Sequence, residues 1–269
     1  VVDSLDEVGG RAGSYTEAGF RWDTGPSWYL MPEAFDHFFS LCGTSTEAEL
    51  DLVGLSPDYR VFTGTTPVDV HSGVQEVAAL FESLEPGAGP RIRTYLDEAD
   101  EVYRMALDHF LYTTFSAPLN LVHRDIRSRL RWIAALLSTS LQDHVNDRFS
   151  DTRLRQILSY PAVFLSSEPA AAPALYSLMS HTDLVEGVRY PQGGFAAVVE
   201  AIYRQAQKFG ATFRLGEEVT TITTAVASSG RGHRWPFTGA PSTRTTGVRT
   251  NKGSIAADIV VSAADLHHT

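Results

Sequence analysis

The stretch VVDSLDEVGGRAGS, residues 1–14, decides the fold class of this chain. Its first two residues are β-branched and indicate the end of a strand that stops at Asp3. The triplet Gly9-Gly10-Arg11 begins six positions later. A strand that ends in an acidic residue and runs into a glycine-rich loop is typical of the second strand of a Rossmann-type domain. The stretch therefore predicts an α/β fold that is entered inside a nucleotide-binding domain.

Each part of this pattern has a chemical reason. In a Rossmann-type domain the carboxylate accepts hydrogen bonds from ribose hydroxyls, and glycines let the backbone approach a pyrophosphate because they carry no Cβ. Arg11 can add charge-assisted hydrogen bonds to the phosphates. Alone, Asp3 is more typical of a solvated loop, and Gly9-Gly10-Arg11 of an ordinary turn. The two together, followed by Ala12-Gly13-Ser14, make a narrower pattern.

A second block follows closely, from Phe20 to Trp28. Apolar and polar residues alternate up to Asp23, which predicts a short strand. The strand runs into Gly25-Pro26-Ser27. That sequence is consistent with backbone brought against a flat ring system, and equally with a simple turn.

Hydrophobic periodicity organises the rest of the chain. Spacings of three and four predict a mainly helical middle and one later helix at 194–210, and strand-type alternation follows it. Ile259-Val260-Val261 is a continuous apolar run and predicts a buried strand. We therefore predict three segments: the first part of a nucleotide-binding domain at 1–71, a helical domain at 72–180, and a second nucleotide-binding part with a β excursion at 181–269.

Composition excludes several classes of partner and site. The formal net charge is −10, so a nucleic acid backbone would be repelled. Cys42 is the only cysteine, which rules out a disulfide framework or a cysteine-based metal site within one chain. The histidines show no metal-ligand spacing, and we predict no metal. No run reaches the ~18 apolar residues of a membrane span, but contact with a membrane surface stays open.

The motifs above resemble those of the bacterial-type phytoene desaturases, which are FAD-dependent carotenoid desaturases of the flavin amine oxidase superfamily. The resemblance covers nearly the whole chain and continues at Tyr190-Pro191-Gln192-Gly193-Gly194 and in the last block, residues 261–268. It implies a Rossmann-like FAD-binding domain of the GR2 or amine oxidase type with an inserted, mainly helical substrate domain. Position 3 is Asp where the family usually has Glu, and the shorter acid can still reach a ribose.

The resemblance also implies roles for single residues around FAD. Asp3 would hold the ribose, and Gly9, Gly10 and Arg11 would line the pyrophosphate. Gly25, Pro26 and Ser27 would lie near the flavin ring. Val219 would contact adenine through its backbone. Ala263 would pack near the same nucleotide half of the cofactor.

On the substrate side the resemblance implies a long, uncharged polyene, bound in an apolar tunnel by a protein at the cytoplasmic face of a membrane. Aromatic residues of the middle segment supply suitable material, although plain helical core is the more common explanation for each of them. The family carries an Arg-Asp pair proposed to face the reaction site, and Arg124 and Asp125 match it. A helix cap or a surface salt bridge is the simpler reading of that pair.

Two motifs of the family are not in this sequence: the GxGxxG loop, expected before Val1, and a C-terminal glycine-rich segment, expected after Thr269. We therefore expect the chain to be part of a longer enzyme. Three alternatives stay open. They are a desaturase or isomerase of another carotenoid, a flavin amine oxidase, and a prenyl-chain-binding protein of the Rab GDP-dissociation inhibitor type without redox activity.

Overall fold

The computed structural model describes residues 1–63, 66–111, 124–226 and 243–265. The chain forms two compact units. One comprises Val1–Pro26 with Gly193–Thr269, and the other comprises Ser27–Gln192. The ends of the sequence therefore pack together, and the middle of the sequence builds its own core.

The first unit combines small antiparallel sheets with one helix. A hairpin pairs β1 (Ser14–Glu17) with β2 (Phe20–Asp23). The helix α9 (Ala196–Lys208) buries Ala196, Val198 and Ala201. An antiparallel sheet in the order β7, β8, β9 follows, formed by Val219–Val226, Thr243–Thr250 and Gly253–Ala256. The predicted strand up to Asp23 and the predicted helix at 194–210 are confirmed.

The second unit is mainly helical. Its helices are α1 (Pro32–Leu41), α2 (Thr46–Glu49), α3 (Val74–Leu84), α4 (Ala88–Ala106), α5 (Arg124–Ser138), α6 (Leu141–Asn146), α7 (Thr152–Ser159) and α8 (Met179–Leu184). Its strands are β3 (Leu52–Gly54), β4 (Tyr59–Thr63), β5 (Thr66–Val70) and β6 (Arg189–Pro191). Antiparallel pairs join β3 to β6 and β4 to β5.

Helix α4 is the centre of this unit, as its periodicity predicted. Ile92, Tyr95, Leu96 and Ala99 are almost completely buried, because residues three and four apart share one helical face. Glu82 of α3 fixes where α4 begins, since its carboxylate accepts hydrogen bonds from the main-chain N–H groups of the first residues of α4 and its N-cap. The long helix thus becomes the surface on which α3, α6 and α7 pack.

The compact units divide the chain at other places than the predicted segments. Residues 27–71 and 181–192, which we assigned to the nucleotide-binding parts, pack in the helical unit. Two contacts explain the difference: Val68 and Val70 of β5 lie in the helical core, and β6 completes a sheet with β3. As a division into cofactor and substrate domains, the segments 1–71, 72–180 and 181–269 stay a prediction.

The prediction of a buried strand at Ile259-Val260-Val261 is wrong for the described chain. The segment forms no strand, and Ile259 and Val261 are 81% and 86% exposed. The run has the composition of a buried parallel strand, but such a strand is buried only between hydrogen-bonded neighbours. Among the described residues no strand pairs with it.

Candidate cofactor site

The first three residues form the edge on which the site is built. Val2 makes a parallel bridge with Arg214, and Asp3 donates its N–H to the carbonyl oxygen of Arg214 at 3.0 Å. The Asp3 carbonyl in turn accepts from the N–H of Glu217 at 2.9 Å. The Asp3 carboxylate accepts from the N–H of Leu5 at 2.9 Å, which fixes its orientation at the end of the strand. Contact of the Asp3 carboxylate with a ribose stays a prediction.

The glycine pair forms the turn that the sequence predicted. Gly9 and Gly10 both have positive φ, +118° and +53°, and a single 3-10 turn closes when the Ala12 N–H donates to the Gly9 carbonyl. At Gly9 a Cβ would lie 3.0 Å from the Ala12 oxygen and 3.3 Å from Val199 of α9. At Gly10 a Cβ would meet nothing within 4 Å. Gly9 is therefore needed for packing, whereas Gly10 presents bare backbone to open space, as close approach of a pyrophosphate requires.

Arg11 connects this turn to the last described block of the chain. Its Nη2 donates to Oδ2 of Asp265 at 2.8 Å, and its side chain is 88% exposed. Asp265 lies two residues after Ala263, so the ion pair brings the turn beside the segment predicted to pack on the nucleotide half. A guanidinium carries five N–H donors, which leaves Arg11 further donors for phosphate oxygens.

Gly25 lies directly on the backbone of Arg11. A Cβ at Gly25 would come closer than 3.0 Å to the main-chain oxygen of Arg11, a separation that real Cβ atoms essentially never show. Thr24 reinforces the contact by donating its N–H to the Gly13 carbonyl at 3.0 Å. The structure thus brings Gly25 and Arg11 together. Pro26 ends the first unit and Ser27 begins the second, and their place beside a flavin ring stays a prediction.

Asp23 ties the same hairpin to the start of α9. Its carboxylate accepts from the N–H groups of Phe195 at 3.0 Å and Ala196 at 3.4 Å. The first N–H groups of a helix have no partner within the helix, so this carboxylate caps it. Gly194 allows the close approach, because a Cβ there would lie 2.8 Å from Oδ1 of Asp23. The second glycine of the Gly193-Gly194 pair is therefore explained by packing on Asp23.

Val219 opens β7, two residues after the Glu217 that bonds Asp3. It is 40% exposed and pairs with Thr250. Glu217, two residues before it, is buried and accepts from the Thr250 hydroxyl at 2.6 Å while its N–H bonds Asp3. The backbone that leads into β7 is thus held beside Asp3. Contact of Val219 with adenine remains a prediction that this geometry permits.

The predicted catalytic pair lies at the start of α5, and its side chains fall outside the described ones. Arg124 and Asp125 are the first two residues of that helix. Their role at a reaction site therefore stays a prediction. Elsewhere in the parts of the chain that the structure describes, no group of three or more His, Cys, Asp or Glu residues could hold a metal ion.

A buried carboxyl cluster in the helical unit was not predicted. Asp183 of α8 is 2% exposed and accepts hydrogen bonds from the hydroxyls of Tyr160 at 3.0 Å and Tyr59 at 3.3 Å. Burial raises the pKa of Asp183 to about 7, although both hydroxyls lower it in part. Trp28 stacks on Tyr59 with ring centroids 5.3 Å apart. The two tyrosines therefore connect a buried acid to the residue that follows Ser27.

Sequence reasoning missed three long-range carboxylate contacts. Asp265 as the partner of Arg11, Asp23 as the cap of α9 and Asp183 as a buried acceptor are all carboxylates whose partners lie more than 20 residues away. Asp265 lies in the last motif block and Asp23 lies just before Gly25-Pro26-Ser27. Both acids could therefore have been recognised from the motifs. For Asp183 no sequence pattern distinguishes a buried acid from a surface one.

Comparison with known proteins identifies the family of this chain. The family model described as flavin containing amine oxidoreductase matches residues 1–269, the whole sequence. The chain belongs to this family. Its fold is accordingly the FAD-dependent oxidoreductase fold of the amine oxidase type, and the cofactor of the family is FAD, as the resemblance to the phytoene desaturases implied.

Curated proteins that are similar to this chain include carotenoid and phytoene desaturases. The chain is 38% identical over 223 residues to a carotenoid 3,4-desaturase from Haloarcula japonica, a match that covers 82% of this chain and 45% of that protein. It is 31% identical over 268 residues to a zeta-carotene-forming phytoene desaturase from Myxococcus xanthus, with 99% and 48% covered. The chain thus spans about half the length of the curated relatives it matches.

A solved structure supports the fold alone. An oxidoreductase from Methanosarcina mazei superposes with a TM-score of 0.54 and 15% sequence identity, covering 96% of this chain and 51% of that one. At this identity the match shows the architecture and says nothing about substrate.

Proposed function

We propose that the full-length protein is an FAD-dependent oxidoreductase that desaturates phytoene, toward lycopene, in carotenoid biosynthesis. The observation that carries the proposal is the Gly9–Arg11 turn, which presents open backbone at Gly10 and a guanidinium tied to Asp265. It stands on an edge whose acid, Asp3, would be the ribose ligand. The names of the curated relatives supply the substrate class.

When bound, FAD would supply the redox chemistry, since a hydride leaves an allylic carbon for the flavin while a proton leaves the neighbouring carbon and one double bond forms. The residues of this chain bind and orient. Asp3 would accept from the ribose, and Arg11 and the backbone of Gly10 would donate to the pyrophosphate. Arg124 and Asp125 would face the substrate, and aromatic side chains of the helical unit would exclude water from a polyene tunnel.

The test is expression of the full-length gene in cells that accumulate phytoene. We expect coloured carotenoids in the pigment extract. Unchanged phytoene, with the protein present and loaded with flavin, would rule out this substrate.

A second candidate is desaturation of another carotenoid, which the name of the Haloarcula japonica relative favours. The same extract distinguishes the two when the cells are given a more unsaturated carotenoid instead of phytoene. A redox-inactive prenyl-binding protein would change neither extract and would bind no flavin.

Arg11→Ala should lower FAD retention strongly while leaving the folded chain intact. The Arg11–Asp265 ion pair is exposed, and exposed pairs contribute at most ~1 kcal/mol to stability. Loss of a charge-assisted phosphate contact costs more, about 10-fold in affinity. The measurement is flavin bound per protein after dialysis, with Arg124→Ala as the matched arginine control. Greater flavin loss from Arg124→Ala would show that the role assigned to Arg11 is wrong.

The protein is also proposed to lie at the cytoplasmic surface of a membrane, because its polyene substrate partitions into lipid. No helix within the described ranges is long and apolar enough to cross a bilayer.

A further inference from the structure

Four aromatic rings form one cluster in the helical unit. Trp28 stacks on Tyr59 with ring centroids 5.3 Å apart, and Tyr160 lies 5.3 Å from Tyr59 and 6.0 Å from Trp28. Phe164 completes the cluster at 6.2 Å from Trp28 and 5.7 Å from Tyr160. Each ring therefore contacts at least two others, at separations within the range of favourable aromatic pairs.

The cluster reaches the surface of the unit. Phe164 is 49% exposed, and its neighbour Val163 is 70% exposed. The other three rings, those of Trp28, Tyr59 and Tyr160, are half-buried. We call the surface formed by these four rings the aromatic face. A contiguous apolar surface of this kind is typical of a binding site.

The carboxyl group of Asp183 holds the hydroxyls of both tyrosines inward. One oxygen, Oδ2, accepts from the Tyr160 hydroxyl at 3.0 Å and from the Tyr59 hydroxyl at 3.3 Å, and Asp183 itself is 2% exposed. Burial raises the pKa of both tyrosines, so each keeps its proton and remains a donor. A buried acceptor therefore fixes the polar end of each ring toward the interior.

An aromatic face whose hydroxyls point inward fits a hydrocarbon ligand. Tyrosines that bind a peptide or a polar ligand usually offer it their hydroxyl, because a buried hydroxyl needs a hydrogen-bond partner. A polyene has no donor and no acceptor, so a hydroxyl turned toward it would lose its partner and weaken binding. The sequence position agrees with this ligand, since Trp28 directly follows Gly25-Pro26-Ser27, the segment predicted to lie near the flavin ring.

We propose that the aromatic face contacts the carotenoid chain and that Asp183 is a positioning residue, which keeps the hydroxyls of Tyr59 and Tyr160 turned away from that chain. The inference rests on the proposed function for the class of ligand, and it adds which side chains of the helical unit meet that ligand. Asp183 does not touch the substrate, because it lies behind the two rings and acts through them.

Binding of lycopene by the full-length protein tests the aromatic face. All-trans lycopene is supplied in detergent micelles, and the pigment that co-elutes with the protein is measured at increasing pigment concentration. Phe164→Ala should weaken binding about tenfold, because the exposed part of this ring is what the pigment covers. Phe62→Ala, at a phenylalanine that is 78% exposed on β4, is the matched control and should bind as the parent protein does. Unchanged binding by Phe164→Ala would overturn the proposal.

The positioning role has variants of its own. Asp183→Ala removes the acceptor and should weaken lycopene binding about tenfold, whereas Asp183→Asn keeps an accepting oxygen and should bind nearly as the parent does. When Asp183→Ala is combined with Tyr59→Phe and Tyr160→Phe, no hydroxyl is left to be positioned, and binding should return to the parent level.

All variants are compared per folded protein, below the unfolding temperature of each. A purely structural role of Asp183 would lower the folded fraction and leave binding by the folded protein unchanged, and this result would overturn the proposal. A binding defect that persists in the triple variant would overturn it as well.

Desaturation of phytoene is measured on the same proteins, so that the proposed function is tested separately. A protein that binds lycopene with these variant effects, yet forms no double bond, would support the aromatic face and contradict the proposed function. In an active protein, Phe164→Ala and Asp183→Ala should raise KM about tenfold with little change in kcat, because the lost contacts are alike in the ground state and the transition state.

Discussion

Replacing Gly25 by alanine should remove flavin from the full-length protein and lower its stability by about 3 kcal/mol. The added methyl group would come closer than 3.0 Å to the main-chain oxygen of Arg11. A main-chain atom cannot turn away as a side chain does, so either the β2 end or the Gly9–Arg11 turn must move. Arg11 would leave its place beside Asp265, and with it the predicted pyrophosphate contact.

Two glycine variants serve as controls for Gly25→Ala. At Gly54 in β3 a Cβ would meet nothing within 4 Å, and its alanine variant should differ from the parent by less than ~0.5 kcal/mol. At Gly247 in β8 a Cβ would approach the Ile255 oxygen closer than 3.0 Å, so its alanine variant carries a comparable clash away from Arg11.

The measurement is flavin bound per folded protein, taken below the unfolding temperature of every variant. We expect Gly25→Ala alone to lack flavin, while Gly247→Ala is destabilised and retains it. Equal flavin content in these two variants would mean that the Gly25–Arg11 contact is not part of the cofactor site.

The parent protein should lose stability as the pH rises from about 4 to about 7, and the Asp183→Asn variant should not show this loss. Burial raises the pKa of Asp183 from 3.8 to about 7 in the folded chain. The unfolded chain therefore releases this proton first as the pH rises, which favours unfolding. The stability that the protonated carboxyl contributes is fully present below its pKa in the unfolded chain. It is lost as the pH rises through its pKa in the folded chain. The difference between the pKa of this carboxyl in the folded and the unfolded chain corresponds to up to ~4 kcal/mol.

The free energy of unfolding by urea, measured at intervals of pH, checks this prediction. Asparagine keeps an oxygen that accepts from Tyr59 and Tyr160 but does not titrate, so its curve should be flatter than that of the parent. Some slope should remain, because burial and the neighbouring Glu33 carboxyl also raise the pKa of Glu186. Parallel curves for the parent and Asp183→Asn would contradict the assignment of a neutral buried acid.

Tyr160→Phe provides a second variant for the same group. The Tyr160 hydroxyl stabilises the charged carboxylate and lowers its pKa in part. Its removal should move the titration of Asp183 to higher pH and extend the region in which stability falls.

The sequence was sufficient where the signal is local. Helix α4 followed from the spacing of Ile92, Tyr95, Leu96 and Ala99, and helix α9 followed from the same periodicity at 194–210. The glycine turn at Gly9 and Gly10 followed from residue types that permit positive φ. In each case residues within a few positions of one another determine the conformation.

The sequence failed where partners are distant. Residues 259–261 have the composition of a buried strand, but burial depends on neighbours that the described chain does not place there. The pairing of β3 with β6 joins positions nearly 140 residues apart, and no local pattern marks it. The same holds for the site, because the acids that position Arg11 and α9 come from far along the chain.

The absorbance of the purified full-length protein tests the central claim most directly. A protein built around the Asp3 edge and the Gly9–Arg11 turn should be yellow, with flavin bands that include one at roughly 450 nm and one FAD per chain. A colourless protein that cannot be reconstituted with FAD would contradict the assignment of this site and, with it, the proposed oxidoreductase function.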